Sequence, residues 1–315
     1  MPPHQNLAFS IVIPVFNEKG NIKTLINQIV QSCGQASYEI IVVDDGSSDG
    51  TKEEIAESAL QHKEVRCLSL KRNFGQTAAL AAGIDNAKGD VIVPMDGDGQ
   101  NDPNDIPRLL AKLNEGFDVV SGWRKNRKDG FFLRRFPSHL ANALISTVTG
   151  VHLHDYGCTL KAYRRTIITN IQISGEMHRF LPAWCVWQGG KVAETVVNHH
   201  PRRIGQSKYG LMRIFKVIID LITLKFFSGY LSKPNYVFSG IGLVLFLLGI
   251  LSAGIAIFDK FGPDRFPKFR TPLLLLSIFC GMVAVFLMLM GLLAELLVRL
   301  YFQVRNQKPY RLADE

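Results

Sequence analysis

The sequence predicts an α/β domain with a mostly parallel central sheet, followed by amphipathic interfacial helices and two transmembrane helices. In the first half of the 315 residues, short apolar segments alternate with segments of helical periodicity. This order is typical of a parallel sheet covered by helices on both faces. Near the C-terminus, Tyr236–Phe258 and Leu273–Ala294 contain no charged residue, and each is long enough to cross a bilayer as a helix. Buried core helices are the alternative, but these usually keep a polar stripe.

Five strands are predicted in the first part of the chain from short runs rich in β-branched and aromatic residues. They are Phe9–Val15, Tyr38–Val43, Val65–Leu70, Val91–Met95 and Asp118–Ser121. Apolar periodicity predicts helices between them, at 21–31, 49–60, 76–86 and 104–114. Ligands of such sheets bind beyond the carboxyl ends of the strands, so a crevice is expected there.

After Trp123 the pattern is less regular. We expect helices at 134–148 and 177–187, a strand at 191–198, and a mobile basic loop at 125–135. Segment 211–227 combines apolar residues at helical spacing with interrupting charges, which indicates an interfacial helix, with an ordinary amphipathic core helix as the alternative. The predicted domains are a cytosolic domain at 1–206, juxtamembrane helices at 207–234, and a two-span hairpin with a cytosolic tail at 235–315.

The end of the fourth predicted strand carries the strongest chemical signal. Asp96 and Asp98 follow the apolar run directly, and side chains at alternate positions of a strand point the same way. With the amide of Gln100 they offer hard oxygen ligands for Mg²⁺ or Mn²⁺, the usual partners of a diphosphate. The chain contains neither GxGxxG nor GxxxxGK[ST], which excludes the usual dinucleotide and P-loop phosphate sites.

The net charge of +9 is concentrated before the first apolar segment, where residues 199–233 contain seven Lys or Arg and one acid. Basic residues at this place favour anionic lipid headgroups as partners, so no nucleic acid is expected. The N-terminal residues lack a basic and apolar signal pattern, so we expect a cytosolic catalytic domain. Five scattered cysteines without CxxC spacing indicate reduced thiols.

Five motifs resemble glycosyltransferase family 2 in order and spacing. They are IVIPVFNE, VVDDGSSDGT, RNFGQTAALAAGI, DGDGQNDP and DYGCTLKAYRR. The GQSKYG segment and the paired apolar segments narrow the resemblance to polyprenyl-phosphate glycosyltransferases. This group includes dolichyl-phosphate mannose synthases and the bacterial polyprenyl-phosphate glucosyltransferases, which the chain resembles most. The resemblance implies a nucleotide-sugar-binding domain of the GT-A type. The protein that carries this domain would be anchored in a bacterial inner or plasma membrane.

The resemblance also implies roles for individual residues. Pro14, Asn17 and Glu18 would line the base and ribose pocket, and Asp45 would accept a hydrogen bond from a uracil N–H while Asp44 supports its loop. Asp96 would contact ribose or metal and act in catalysis, with Asp98 and Gln100 binding the metal. Asp155 matches an acidic position near the reacting centre, where it positions the substrate or acts as a base. The residues expected to meet phosphates are Arg124, Arg202, Arg203, Ser207 and Lys208.

Simpler structural roles compete with several of these assignments. The segment Asp44–Ser47 also fits a turn with a helix cap, Asp155 fits a turn residue, and Arg202 or Arg203 fits a solvated charge near lipid. His199 and His200 have no metal partners at ligand spacing, so we expect structural roles for them.

The implied reaction is a metal-dependent, inverting transfer of a hexose from a nucleotide sugar to a polyprenyl phosphate. Glucose from UDP-glucose is the first expectation, and mannose from GDP-mannose is the alternative. A non-catalytic membrane module that binds sugar lipids is the rival from another class, and the intact set of acids argues against it. Gly249 and Ala253 have the small-xxx-small spacing that permits close helix contact, including that of a homo-oligomer.

Overall fold

The computed structural model describes residues 7–125, 136–169, 171, 177–201, 234–261 and 270–305. The chain forms two compact units, Met1–Ile222 and Thr223–Glu315. The predicted basic loop, the predicted interfacial helix and the boundary near residue 206 lie largely or wholly outside the described residues, so the domain limits stay predictions.

The first unit contains a seven-stranded sheet with the order β3-β2-β1-β4-β6-β5-β7. Strand β6 runs antiparallel to β4 and β5, and the other neighbouring pairs are parallel. This confirms the predicted mostly parallel sheet. The strands are β1 Phe9–Val15, β2 Tyr38–Asp44, β3 Val65–Ser69, β4 Val91–Pro94, β5 Val119–Trp123, β6 Lys161–Arg164 and β7 Val192–Val196.

Helices cover both faces of the sheet because the strands are apolar on both sides. On β1, Ile11 and Ile13 pack into one core with α1, α2 and α4, whereas Val12 packs into a second core with α3, α6 and α7. The helices are α1 Ile22–Cys33, α2 Thr51–Gln61, α3 Gln76–Asp85, α4 Ile106–Leu113, α5 Phe136–Thr149, α6 Arg165–Ile168 and α7 Leu181–Trp187, with 3₁₀ turns at Pro103–Asp105 and Met177–Arg179.

Several short elements differ from the sequence prediction, including α6 at Arg165–Ile168, which was not predicted. Strand β6 was not predicted, because it has only four residues and a charged residue at each end. The single helix predicted at 177–187 is a 3₁₀ turn followed by α7. Pro182 lies in the first turn of α7, where its missing N–H costs no hydrogen bond, so the α-helix begins there.

The second unit contains two long helices, Pro234–Phe261 and Arg270–Arg305, called here the first and second C-terminal helices. Segments Pro234–Asp259 and Thr271–Val298 are long and apolar enough to cross a membrane. The two helices approach closely at small residues: a Cβ on Gly249 would lie 3.1 Å from the carbonyl oxygen of Ser277. Ser252 Oγ donates to the carbonyl oxygen of Leu273 at 2.8 Å. The lack of a side chain at Gly249 therefore permits the close contact between the two helices of this hairpin.

Candidate active site

The carboxyl ends of four neighbouring parallel strands surround one cleft with a volume of about 290 Å³. It lies where the loops after β1, β2, β3 and β4 meet. The predicted site residues that line it are Pro14, Glu18, Asp45, Asp96 and Asp98. The structure therefore brings together the acids that follow three strands, as expected, while their individual roles stay predictions.

Asn17 lies beside the cleft and does not line it. Its backbone has a φ of 55°, in the left-handed region that asparagine adopts more readily than most residues. Its Oδ1 accepts from the backbone N–H of Ser48 at 2.9 Å, and its own N–H donates to Ser47 Oγ at 3.0 Å. Asn17 thus ties the loop after β1 to the loop after β2.

Asp45 holds the loop after β3 in place. Its Oδ1 and Oδ2 accept from the backbone N–H groups of Phe74 and Gly75 at 2.7 and 2.8 Å. An ionised carboxylate has about four lone-pair sites, so a bond from a nucleobase N–H is compatible with these contacts.

Asp44 accepts from Ser47 N at 3.1 Å, which is the loop-supporting contact expected of it. A Cβ on Gly46 would lie 2.7 Å from the backbone of Arg72, so only glycine lets the two loops approach this closely.

Asp96 is held on both carboxylate oxygens. Oδ1 accepts from Gln76 Nε2 at 2.7 Å, and Oδ2 accepts from Thr159 Oγ1 at 2.6 Å. Burial, followed by repulsion from Asp98, raises the pKa of Asp96 to about 6. Between the two acids, a Cβ on Gly97 would lie 2.5 Å from Val15 Cγ1, so glycine is needed for this loop to pack on β1.

The two acids fit a hard divalent cation. Both line the cleft, and they are close enough for the charge of Asp98 to raise the pKa of Asp96. Among the residues that the structure describes, no group of three or more His, Cys, Asp or Glu surrounds a common point. A pair of carboxylates is nevertheless the usual protein contribution to Mg²⁺, whose other ligands are water and substrate phosphates.

Gln100, the third predicted metal ligand, is absent from the residues that line the cleft. Its backbone N–H donates to Asp98 Oδ1 at 3.1 Å, and its carbonyl oxygen accepts from His200 N at 2.9 Å. These contacts are made by the main chain, so they give no support to a metal bond from the side chain.

Asp155 forms a buried ion pair with Arg124. Arg124 Nε donates to Asp155 Oδ2 at 2.7 Å and Nη2 donates to Oδ1 at 2.9 Å, and the two side chains are only 12% and 5% exposed. Burial acts to lower the pKa of Arg124, but the hydrogen bonds and charge of Asp155, with a smaller contribution from Asp96, raise it above its usual value. Because both oxygens of Asp155 bind one guanidinium, the geometry favours a positioning role over that of a base.

A second, smaller cavity of about 80 Å³ adjoins the cleft at Asp96. We call it the inner pocket; the acidic and basic residues among its described lining are Asp96, Lys161, His178 and Arg179. Lys161 is 3% exposed, burial lowers the pKa of its ammonium, and Nζ donates to the carbonyl oxygens of Tyr156 and Cys158. Sequence reasoning did not assign these three basic residues a role. Only Lys161 belongs to a recognised motif, DYGCTLK.

Hydrogen bonds connect residues 198–200, which follow β7, with residues 100–105, which follow Asp98. Asp105 accepts from the backbone N–H of Asn198 at 2.6 Å, and His200 Nε2 lies 3.3 Å from Asp102 Oδ2. His199 Nδ1 also contacts the carbonyl oxygen of Gln100 at 3.2 Å, and the structural roles expected of both histidines stay predictions. The predicted phosphate-binding residues that follow lie outside the described residues; they are Arg202, Arg203, Ser207 and Lys208.

The model of the family described as "Glycosyl transferase family 2" matches residues 10–171, which run from the second residue of β1 to beyond the end of β6. The chain belongs to glycosyltransferase family 2. This glycosyltransferase is 43% identical to the dodecaprenyl-phosphate galacturonate synthase of Rhizobium johnstonii over 96% of its own length and 90% of the relative's. It is 38% identical to the undecaprenyl-phosphate 4-deoxy-4-formamido-L-arabinose transferase of Aeromonas hydrophila over 96% and 91% of the two lengths.

The fold of this glycosyltransferase is also found in a crystal structure from Mycobacterium tuberculosis. That protein, glucosyl-3-phosphoglycerate synthase in complex with Mn²⁺, uridine diphosphate and phosphoglyceric acid, superposes with a TM-score of 0.56 and 19% sequence identity. The match covers 70% of this chain and 78% of the synthase. It confirms the predicted GT-A type of fold.

Proposed function

We propose that this glycosyltransferase transfers a sugar from a nucleoside diphosphate sugar to a polyprenyl phosphate at a membrane surface. The observation that carries the proposal is that an acidic cleft of a family 2 domain and two apolar helices occur in one chain. Relatives whose names specify a polyprenyl-phosphate product or substrate match the chain over about nine tenths of their length, so they share both parts.

The reaction joins the phosphate of the lipid to the anomeric carbon of the sugar. An oxygen of the acceptor phosphate attacks that carbon, the bond to the β-phosphate of the donor breaks, and the nucleoside diphosphate leaves with the bonding electrons. Attack from the opposite face inverts the configuration. A phosphate monoester has a second pKa of about 6, so the nucleophile is already anionic at neutral pH and needs no strong base. This agrees with a positioning role for Asp155.

Asp96 and Asp98 would hold Mg²⁺ or Mn²⁺, which when bound neutralises charge that develops on the leaving diphosphate. Arg124 supplies a fixed positive charge near Asp96, and Asp155 keeps its guanidinium oriented. Pro14, Glu18 and Asp45 are the lining residues proposed for the nucleoside, as the resemblance implies. Arg202, Arg203, Ser207 and Lys208 remain proposed contacts of the phosphates.

The two C-terminal helices are proposed to span a bacterial inner membrane, with the catalytic domain on the cytosolic side. A polyprenyl phosphate keeps its charged group in the headgroup layer, which is where such an anchored domain meets it. The hairpin contact at Gly249 accounts for its small side chain without a second copy, and a homo-oligomer stays a prediction.

Neither of the two relatives compared acts on glucose according to its name: one is a galacturonate synthase and the other a formamido-arabinose transferase. The expectation of UDP-glucose therefore has no support from them. Transfer from GDP-mannose is the remaining alternative from the sequence. A non-catalytic sugar-lipid module would bind both substrates without forming product.

The test is product formation by the full-length protein in detergent with undecaprenyl phosphate and a panel of labelled nucleotide sugars, followed by thin-layer chromatography. We expect one donor to yield a labelled lipid, the label to disappear with EDTA, and Asp98→Asn to reduce product at least about 100-fold, as expected for loss of a metal ligand. Glu57→Gln, an acid exposed on α2, is the control and should retain activity. Absence of labelled lipid with every donor, or full activity of Asp98→Asn, contradicts the proposal.

A further inference from the structure

We propose that the inner pocket binds a carboxylate on the donor sugar, so that the enzyme selects an activated uronate over the corresponding neutral hexose. The inference rests on the function proposed above and adds the chemical class of the sugar. It is carried by the position, the charge and the size of the inner pocket.

The position places the pocket next to the sugar. Pro14, Gln76 and Asp96 line both the cleft and the inner pocket, so the two cavities meet at Asp96. In the proposed complex the diphosphate lies at Asp96 and Asp98. The sugar is the next group along the donor, and a substituent of its ring therefore lies at the mouth of the inner pocket.

The charge of the pocket suits an anion. Among the described residues of the lining, three basic side chains accompany one acid, Asp96. The two oxygens of Asp96 already accept from Gln76 and Thr159. The other acid nearby, Asp155, is bound to Arg124 on both oxygens. A carboxylate bound here would lie among more basic than acidic described side chains.

The burial of Lys161 also favours a carboxylate as the ligand of the inner pocket. Its ammonium is inside the protein, its recorded hydrogen bonds go to the carbonyl oxygens of Tyr156 and Cys158, and burial lowers its pKa. Taking an ammonium out of water is unfavourable unless opposite charges lie close by, and those of Asp155 and Asp96 act on Lys161. A carboxylate in the inner pocket would add a further opposite charge when the donor binds.

The remaining basic residues are held in place by the fold. Thr77, in the first turn of α3, places its Oγ1 2.8 Å from Nδ1 of His178, which fixes the orientation of the ring. Arg179 follows in the same 3₁₀ turn, immediately before α7. These basic groups therefore meet an incoming sugar without first reorganising a loop.

The size suits a small substituent. A volume of about 80 Å³ holds several water molecules, since a cavity needs about 10–15 Å³ by this measure to hold one. A carboxylate or a formamide fits in that space. The two substituents differ in charge, and the basic lining favours the carboxylate.

The test compares two donors that differ only in the sixth carbon, UDP-galacturonate and UDP-galactose, with the full-length enzyme and undecaprenyl phosphate. We expect kcat/KM to be at least about 10-fold higher for UDP-galacturonate, the lower end of the effect of one hydrogen bond to a charged group. Arg179→Gln should lower kcat/KM for UDP-galacturonate about 10- to 100-fold and change that for UDP-galactose less than about 3-fold. Lys112→Gln, a basic residue paired with Glu115 on the surface, is the matched control and should change neither value.

The outcomes that contradict the carboxylate assignment differ from those that contradict the proposed function. Equal use of both donors, or preference for UDP-galactose, overturns the carboxylate assignment and leaves lipid glycosylation standing. Preference for a UDP-formamido-arabinose donor overturns it in the same way. An equal loss with both donors in Arg179→Gln shows that this residue binds the diphosphate instead. Absence of lipid product with every donor contradicts the proposed function itself.

Discussion

Asp96 lies where the cleft and the inner pocket meet, and its protonation state decides whether a cation can bind. A carboxylate must lose its proton to serve as a ligand of Mg²⁺ or Mn²⁺. Since burial and Asp98 raise the pKa of Asp96 to about 6, a fraction of the sites carries a proton at slightly acidic pH. The hydrogen bond from Thr159 opposes this shift.

This arrangement predicts a pH-dependent metal requirement. Above pH 6 the carboxylate is ionised and the Mn²⁺ concentration for half-maximal activity should be constant. Below pH 6 the proton competes, and that concentration should rise by up to about tenfold per pH unit. Thr159→Val removes a contact that lowers the pKa, so the rise should begin at a higher pH. Mn²⁺ activation curves between pH 5 and 8 measure both effects, and identical curves at pH 5 and 7.5 would contradict the assignment.

The buried ion pair between Asp155 and Arg124 leads to a second prediction, which concerns stability and turnover. Asp155→Asn leaves the guanidinium of Arg124 buried without its charge partner, which typically costs about 3–5 kcal/mol of stability. We expect a lower denaturation midpoint and a large loss of turnover, with nucleotide affinity within a few-fold of the wild-type value. Adding Arg124→Gln should restore part of the stability and none of the turnover. If Asp155→Asn instead loses nucleotide binding in a folded protein, the positioning role is wrong.

Sequence reasoning could place the acids of the cleft but not their partners. Glu18, Asp45, Asp96 and Asp98 follow parallel strands, whose carboxyl ends lie along one edge of a sheet. The contacts to Asp96 come instead from Gln76 and Thr159, which are 20 and 63 residues away in the chain. Their approach depends on how α3 and the loop before β6 pack, and no local pattern reports that packing.

At the scale of elements, α3 connects the sheet to the site. Its first turn carries Gln76, bonded to Asp96, and Thr77, bonded to His178. Its position over the sheet is set by Gly83, where an added Cβ would lie 2.2 Å from Val12 Cγ1 and 3.1 Å from Val43 Cγ2. A close packing contact near the C-terminal end of the helix thus positions side chains at its start.

The Gly83→Ala variant tests this connection. The extra methyl has to displace α3 or the sheet, and such overpacking typically costs about 1–3 kcal/mol. We expect a lower thermal midpoint together with a higher KM for the nucleotide sugar, since Gln76 moves with the helix. Ala81→Ser also adds one heavy atom to α3, at a partly exposed position, and should leave both values nearly unchanged. Normal stability of Gly83→Ala would show that the helix has room at this position.

Most strands and helices could be predicted because each has a clear period and a polar boundary. β1 was predicted with its observed limits, and β2, β3 and β4 within one residue. β6 escaped because its four residues, Lys161–Arg164, carry too little pattern, although it joins β4 to β5 in the sheet. The stability of such a short strand comes from its two neighbours and not from its own sequence.

At the scale of the whole molecule, the chain combines a family 2 glycosyltransferase domain with a hairpin of two helices that are long and apolar enough to cross a membrane. The two C-terminal helices expose many large apolar side chains, including Leu251, Phe258 and Phe279. Exposed apolar surface of this extent in water would favour aggregation, whereas lipid covers it. The proposed acceptor, a phosphate on a membrane-embedded chain, is the substrate for which a glycosyltransferase needs such an anchor.

The most direct test of the central claim follows the phosphorus atoms of the reaction by ³¹P nuclear magnetic resonance. The full-length enzyme in detergent is mixed with undecaprenyl phosphate and the donor found active in the chromatographic assay. The buffer contains Mg²⁺ and no Mn²⁺, because paramagnetic Mn²⁺ broadens ³¹P signals. We expect the phosphomonoester signal of the lipid to be replaced by a phosphodiester signal, with one nucleoside diphosphate released for each diester formed. Release of nucleoside diphosphate while the phosphomonoester signal stays unchanged would mean that water, and not the lipid phosphate, accepts the sugar, and would contradict the account.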